Sequence, residues 1–130
     1  MNWPMNWIVF VTVLALLQYL FFGLSVARAR GTYGVAAPAT TGNDIFERYY
    51  RVQSNTLELL IAFLPALWLA AHYWPPVLIA GVGAVFLVGR MLYFASYTKD
   101  PASRTLGFAL SFIPTVGLLI AALVGALMQR

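Results

Sequence analysis

Residues 7–27, WIVFVTVLALLQYLFFGLSVA, contain no charged side chain and run directly into the cations Arg28 and Arg30. An α-helix needs about 20 predominantly apolar residues to cross the hydrocarbon core of a bilayer, so this stretch reads as a transmembrane helix. A cleaved leader does not fit, because the apolar core is too long, no basic segment precedes it and three further apolar stretches follow. The whole chain agrees with that reading: of 130 residues, 62% are hydrophobic and only 9% are charged. Soluble domains have about 45–50% apolar and about 25% charged residues, so this chain lacks the polar surface to cover a water-facing globule. Residues 1–130 are therefore expected to form a single all-α domain, an integral membrane bundle of four helices, with no separate soluble catalytic domain.

The rest of the chain divides accordingly. Residues 31–43 are rich in Gly, Thr, Ala and Pro, which predicts a loop. Asp44 is expected to cap helix two, with Glu47 completing a capping-box-like pattern, and the helix runs past Pro65 to about Tyr73. Pro75 and Pro76 stop it, and helix three extends from there to about Thr98 with Arg90 inside an apolar run. Asp100 and Pro101 are read as N-cap and first residue of helix four, which continues uncharged to Met128 with a kink expected at Pro114. Gly117, Ala121 and Gly125 form a small-residue stripe suited to close helix approach.

Four spans put the first and third loops on one side of the membrane, together with Arg28, Arg30, Arg48, Arg51, Lys99 and Arg104. The other side holds the N-terminus, His72 and Arg130, so the positive-inside rule turns the charged loops toward the cytoplasm.

The composition also excludes chemistry. There is no cysteine and only one histidine, which removes disulfides, thiolate nucleophiles and Cys- or His-rich metal sites. Any sulfur chemistry needs a thiol carried in by a ligand. A net charge of +4 without a long basic run gives no footprint for nucleic acid.

Some polar residues sit where lipid-facing helices should have none. At about 100° per residue, Glu47, Arg51, Ser54, Asn55 and Glu58 share one stripe of helix two, while Arg90, Tyr93 and Tyr97 share one stripe of helix three. Gln53 points roughly opposite to Arg51. Glu58 lies deep enough to need a partner, since an unpaired carboxylate there costs several kcal/mol. One reading is an internal ion pair of Glu58 with Arg51 or Arg90. The other starts from the surplus of Arg, counting Arg30, Arg48, Arg51, Arg90 and Arg104, which calls for an external anion because guanidinium groups match carboxylates.

Two blocks carry a family resemblance. Residues 46–58, FERYYRVQSNTLE, followed by Phe63-Leu64-Pro65, and residues 89–97, GRMLYFASY, followed by Asp100-Pro101-Ala102-Ser103-Arg104, resemble the MAPEG family, the membrane-associated proteins in eicosanoid and glutathione metabolism. The resemblance spans all four helices in order, is nearer to the microsomal glutathione transferase branches than to the leukotriene synthase branch, and suggests a bacterial member. It implies a homotrimer with glutathione held at each subunit boundary near the cytoplasmic face. Arg51, Asn55, Glu58, Tyr93 and Tyr97 would come from one subunit and Arg30 and Gln53 from its neighbour, with Arg104 as the catalytic residue that activates the thiol.

The expected activity is that of a membrane-bound glutathione transferase. It would add the glutathione thiolate to lipophilic electrophiles from the bilayer and reduce lipid hydroperoxides as a possible side reaction. The expected location is a bacterial inner membrane, or endoplasmic reticulum for a eukaryotic source. A non-catalytic lipid-binding scaffold of the same architecture is the first alternative, and a small multidrug transporter with one intramembrane Glu the second. The transporter leaves Arg51, Arg90 and Arg104 beside that Glu unexplained.

Overall fold

The computed structural model describes residues 3–128 and consists of four long helices: α1 (Trp3–Tyr33), α2 (Asp44–Tyr73), α3 (Pro76–Lys99) and α4 (Thr105–Met128). A single turn of 3₁₀ helix, Pro101–Ser103, precedes α4. All four have the length and hydropathy of membrane spans, and the architecture is an all-α membrane bundle, as the composition demands. Arg130, assigned above to the less charged side, lies outside the described residues.

The helix ends differ from expectation in three places, each for a local reason. The first helix does not stop at Arg28 but carries Arg28, Arg30 and Gly31 to Tyr33, where Gly34 at φ +70° turns the chain. The Val35 N–H then reaches back to the Arg30 carbonyl at 3.1 Å, the Schellman closure that a left-handed glycine permits. Helix α2 is capped by Asn43, not Asp44: the Asn43 side chain accepts from the Phe46 N–H at 2.9 Å, and Glu47 accepts from the Gly42 N–H at 3.1 Å. Asp100 caps the 3₁₀ turn, accepting from the Ala102 N–H at 3.1 Å, so Pro101 opens that turn instead of helix four.

Both Pro65 and Pro114 lie inside continuous helices. Pro76 sits at the start of α3, where its missing N–H has no helical partner to lose.

Helices α2 and α3 form the centre, with α1 and α4 each packing on both of them. At the core, the fully buried rings of Phe63 and Phe86 stack with centroids 3.7 Å apart. Side-chain hydrogen bonds add direction that apolar contact in lipid does not supply. Gln18 donates to the Leu87 carbonyl at 2.9 Å, Trp68 to the Thr12 hydroxyl at 3.0 Å and Trp74 to the Ala121 carbonyl at 2.7 Å. Arg48 ties the start of α2 to the end of α3, donating to the carbonyls of Thr98 at 3.2 Å and Lys99 at 2.9 Å. The first and third loops therefore share one end of the bundle, as the charge pattern predicts.

Small residues set the closest approach. A Cβ on Gly107 of α4 would lie 2.6 Å from the Tyr93 Cα, and one on Gly89 of α3 would lie 2.7 Å from the Leu110 carbonyl carbon. In the Gly117, Ala121, Gly125 stripe only Gly125 is such a contact, fitting under Tyr73, whereas Gly117 has open space.

Candidate functional site

The tight α3–α4 crossing decides what lines the cleft at the loop end. Arg51 and Asn55, one turn apart on α2, face Tyr93 and Tyr97, one turn apart on α3, and Arg104 and Phe108 close the third side from the start of α4. The cleft measures ≈ 410 Å³. The two tyrosine rings stack with centroids 5.3 Å apart. Tyr93 is buried, Asn55 and Tyr97 are half-buried, and Arg51 and Arg104 are exposed at the mouth. Arg104 is the residue immediately before α4: its carbonyl accepts the Phe108 N–H at 3.0 Å, and its guanidinium donates to the Pro101 carbonyl at 3.0 Å.

The floor is set by Arg90, whose side chain is completely buried. Its Nε donates to the Ser111 hydroxyl at 2.8 Å, and one terminal nitrogen donates to Asn55 Oδ1 at 2.8 Å and the Thr56 hydroxyl at 3.2 Å. The guanidinium also lies 4.4 Å from the centre of the Tyr93 ring. Every one of these partners is neutral, and the other terminal nitrogen has no partner. The internal ion pair between Arg90 and Glu58 is therefore absent. Glu58 is exposed and accepts no hydrogen bond from Arg51 or Arg90 among the described residues.

Five of the eight residues singled out in the sequence, Arg51, Asn55, Tyr93, Tyr97 and Arg104, thus line one cleft within a single chain. The other three do not. Glu58 lies one turn beyond Asn55 on the same stripe of α2, exposed and just outside the cleft lining. Gln53 turns away, and a Cβ on Gly23 of α1 would meet its amide nitrogen at 3.1 Å. Arg30 folds onto its own loop, donating to the Ala39 carbonyl at 2.7 Å and the Val35 carbonyl at 3.4 Å, with its guanidinium 4.9 Å from the Phe46 ring centre.

The sequence reading missed that Arg90 works beneath the cleft. The signal was available in Thr56 and Ser111, hydroxyls in apolar helices that an intramembrane cation needs as acceptors.

Chemically the cleft offers guanidinium, phenol and amide groups and no carboxylate, which suits an anionic ligand. A second cleft of ≈ 550 Å³ shares Arg51 and Tyr97 and adds Thr40, Asp44, Glu47 and Arg48. No group of three or more metal-ligating side chains occurs among the described residues.

An uncharacterised protein of Synechocystis is 48% identical over 123 residues, covering 95% of this chain and 90% of that protein. Human microsomal glutathione S-transferase 2 is 40% identical over 101 residues, 78% of this chain and 69% of the transferase. Guinea pig (Cavia porcellus) leukotriene C4 synthase is 40% identical over 94 residues, 72% of this chain and 63% of the synthase. Among protein families, the MAPEG family matches residues 8–124. On that match and those identities, the chain belongs to the MAPEG family.

Proposed function

We propose that this protein is a glutathione-dependent membrane enzyme, specifically a transferase that conjugates the glutathione thiolate to lipophilic electrophiles. The observation that carries the reading is the gathering of Arg51, Asn55, Tyr93, Tyr97 and Arg104 around one cleft at the charged end of the bundle. Relatives named as microsomal glutathione S-transferase and leukotriene C4 synthase support it.

Glutathione carries two carboxylates, an ammonium and a thiol. Arg51 and the Asn55 amide take a carboxylate, Glu58 takes the ammonium, and Arg104 stabilises the sulfur as thiolate. Attack forms a carbon–sulfur bond on the electrophile and breaks its bond to the leaving group; where an epoxide opens, its oxygen takes up a proton. With a lipid hydroperoxide, two glutathiones become a disulfide and the peroxide becomes an alcohol and water.

The full site is a property of a homotrimer in this reading, with Arg30 and Gln53 reaching the site of the neighbouring subunit. Their positions support such a division, since both lie away from the cleft of their own chain. The surplus of cations at the loop end supports a cytoplasmic-facing site, and the cyanobacterial relative supports a bacterial membrane.

Calorimetry with glutathione on the detergent-solubilised protein tests the proposal. Saturable binding that Arg51→Ala weakens is expected. No detectable binding removes the transferase reading and favours a lipid-binding scaffold.

A further inference from the structure

A second feature lies on a different face, between α1 and α3, and shares no residue with the cleft. An apolar groove of ≈ 800 Å³ runs between Leu14, Leu17 and Phe21 of α1 and Leu87, Met91 and Ala95 of α3. At its loop end Phe21 also borders a pocket of ≈ 430 Å³ that is different in kind, lined by Ser25, Arg28, Thr32 and Tyr49. Phe94 forms the wall at the junction, its ring 5.5 Å from Phe21, 5.8 Å from Tyr49 and stacked on Phe22 at 5.1 Å. The surface thus passes along one line from hydrocarbon to hydroxyl to guanidinium.

We propose that this face holds one anionic phospholipid of the surrounding bilayer, with an acyl chain in the groove and the phosphate-bearing headgroup on Arg28. Length supports it. The rise from Leu14 to Arg28 along α1 is about 21 Å at about 1.5 Å per residue. One leaflet, half of a bilayer about 40–45 Å thick with its headgroups, spans about 20–22 Å. Charge supports it as well. Arg28 is exposed and its guanidinium donates to no other described residue, while the pocket lining contains no carboxylate to offset it. Arg30, only two residues on, is by contrast tied to the Val35 and Ala39 carbonyls. The Ser25 and Thr32 hydroxyls each donate to a carbonyl one turn back on α1, those of Phe21 and Arg28, which leaves their oxygens as acceptors for the hydroxyls of a glycerol headgroup, while the phosphate rests on Arg28.

Native mass spectrometry of the detergent-released protein, titrated with phosphatidylglycerol or phosphatidylcholine of identical chains, tests the site. One phosphatidylglycerol per chain is expected, held about fivefold more strongly than phosphatidylcholine, the preference one cation gives at a membrane surface. Arg28→Ala should erase the preference and leave chain binding. Ala95→Trp and Leu17→Trp, both at exposed positions, should each remove retention of both lipids without changing glutathione binding. Equal retention of the two lipids by the unaltered protein overturns the proposal, as does a preference that survives Arg28→Ala. Loss of the oligomer in either Trp variant would show a second copy on this face, and also overturns it.

Discussion

Arg90 donates to Asn55 Oδ1 at 2.8 Å, and this fixes which end of the Asn55 amide the cleft sees. A guanidinium has donors only, so the atom facing it must be the oxygen, and the amide nitrogen turns toward the ligand. The Asn55 amide is thereby turned to donate into the cleft, beside the Arg51 and Arg104 guanidiniums, by a residue that does not line it. Arg90→Met should release that constraint and leave the buried Thr56 hydroxyl without its donor, at about 1–3 kcal/mol, while Ser111 keeps its bond to the Gly107 carbonyl. The expected outcome in thermal unfolding is a lower midpoint without ligand and a smaller rise on adding glutathione. A variant with the lower midpoint but an unchanged rise would confine Arg90 to stability.

Glu58 separates ligand binding from folding cleanly, because it is exposed and unpaired with Arg51 or Arg90 in its own chain. Glu58→Gln should leave the unfolding midpoint of the ligand-free protein where it is. Glutathione affinity should fall by about 2–5 kcal/mol, the usual cost of truncating one partner of a charged pair that binding buries. Loss of stability with intact affinity would reverse the assignment.

Assembly is tested by complementation. Arg30→Ala and Arg51→Ala chains should each bind glutathione poorly as homo-oligomers. Mixed oligomers should regain sites in which an intact Arg30 and an intact Arg51 meet across a boundary. No recovery in verified mixed oligomers would mean that each chain builds its site alone.

The α3–α4 crossing predicts a contrast between two glycines of one helix. Gly107→Ala places a methyl against the Tyr93 backbone, where nothing flexible can yield, and should cost about 1–3 kcal/mol of stability as well as glutathione affinity, since Tyr93 lines the cleft. Gly117→Ala meets nothing within 4 Å and should stabilise by about 0.4–1 kcal/mol. Denaturation of the two variants under the same conditions gives the comparison.

The fold was legible because a bilayer admits few solutions: charge-free stretches, loop prolines and cation placement determine the four spans and the shared end. The boundaries were not, because Arg28 and Arg30 look like the end of a span although the helix needs Gly34 to stop it, and Asn43 and Asp44 are both capable caps. Within the site, helical phase alone placed Arg51 with Asn55 and Tyr93 with Tyr97. It did not give the third wall, because Arg104 reaches the cleft only through an α4 position set by Gly89 and Gly107. Arg90 was visible as an intramembrane cation, but periodicity does not say whether its partner is a carboxylate or a set of hydroxyls.

Arg104 is where the chemistry is most directly testable. It precedes the first turn of α4, where the positive end of the helix dipole disfavours a cation, so an anion held there gains from both. In the proposed function that anion is the thiolate of glutathione. A cation within about 4–6 Å lowers an acid's pKa by about 1–3, from a thiol value near about 8.5. A drop of about two raises the ionised fraction at pH 7 from roughly 3% to roughly 75%, a gain of about 25-fold. Nucleophilicity falls by roughly eightfold over the same change at a Brønsted slope of about 0.4–0.5, so ionisation alone nets only about threefold. The remaining acceleration must come from holding sulfur and electrophile in register in a dry site. Arg104→Ala should accordingly keep much of the glutathione affinity, raise the bound thiol's pKa by at least about one, and lower turnover by far more than threefold. The sign follows from the charge: without the cation the thiolate is less favoured, so the pH profile of turnover moves to higher pH. Titration of the thiolate absorbance in the bound complex measures this, and an unchanged pKa would move the activating role to Tyr93 or Tyr97.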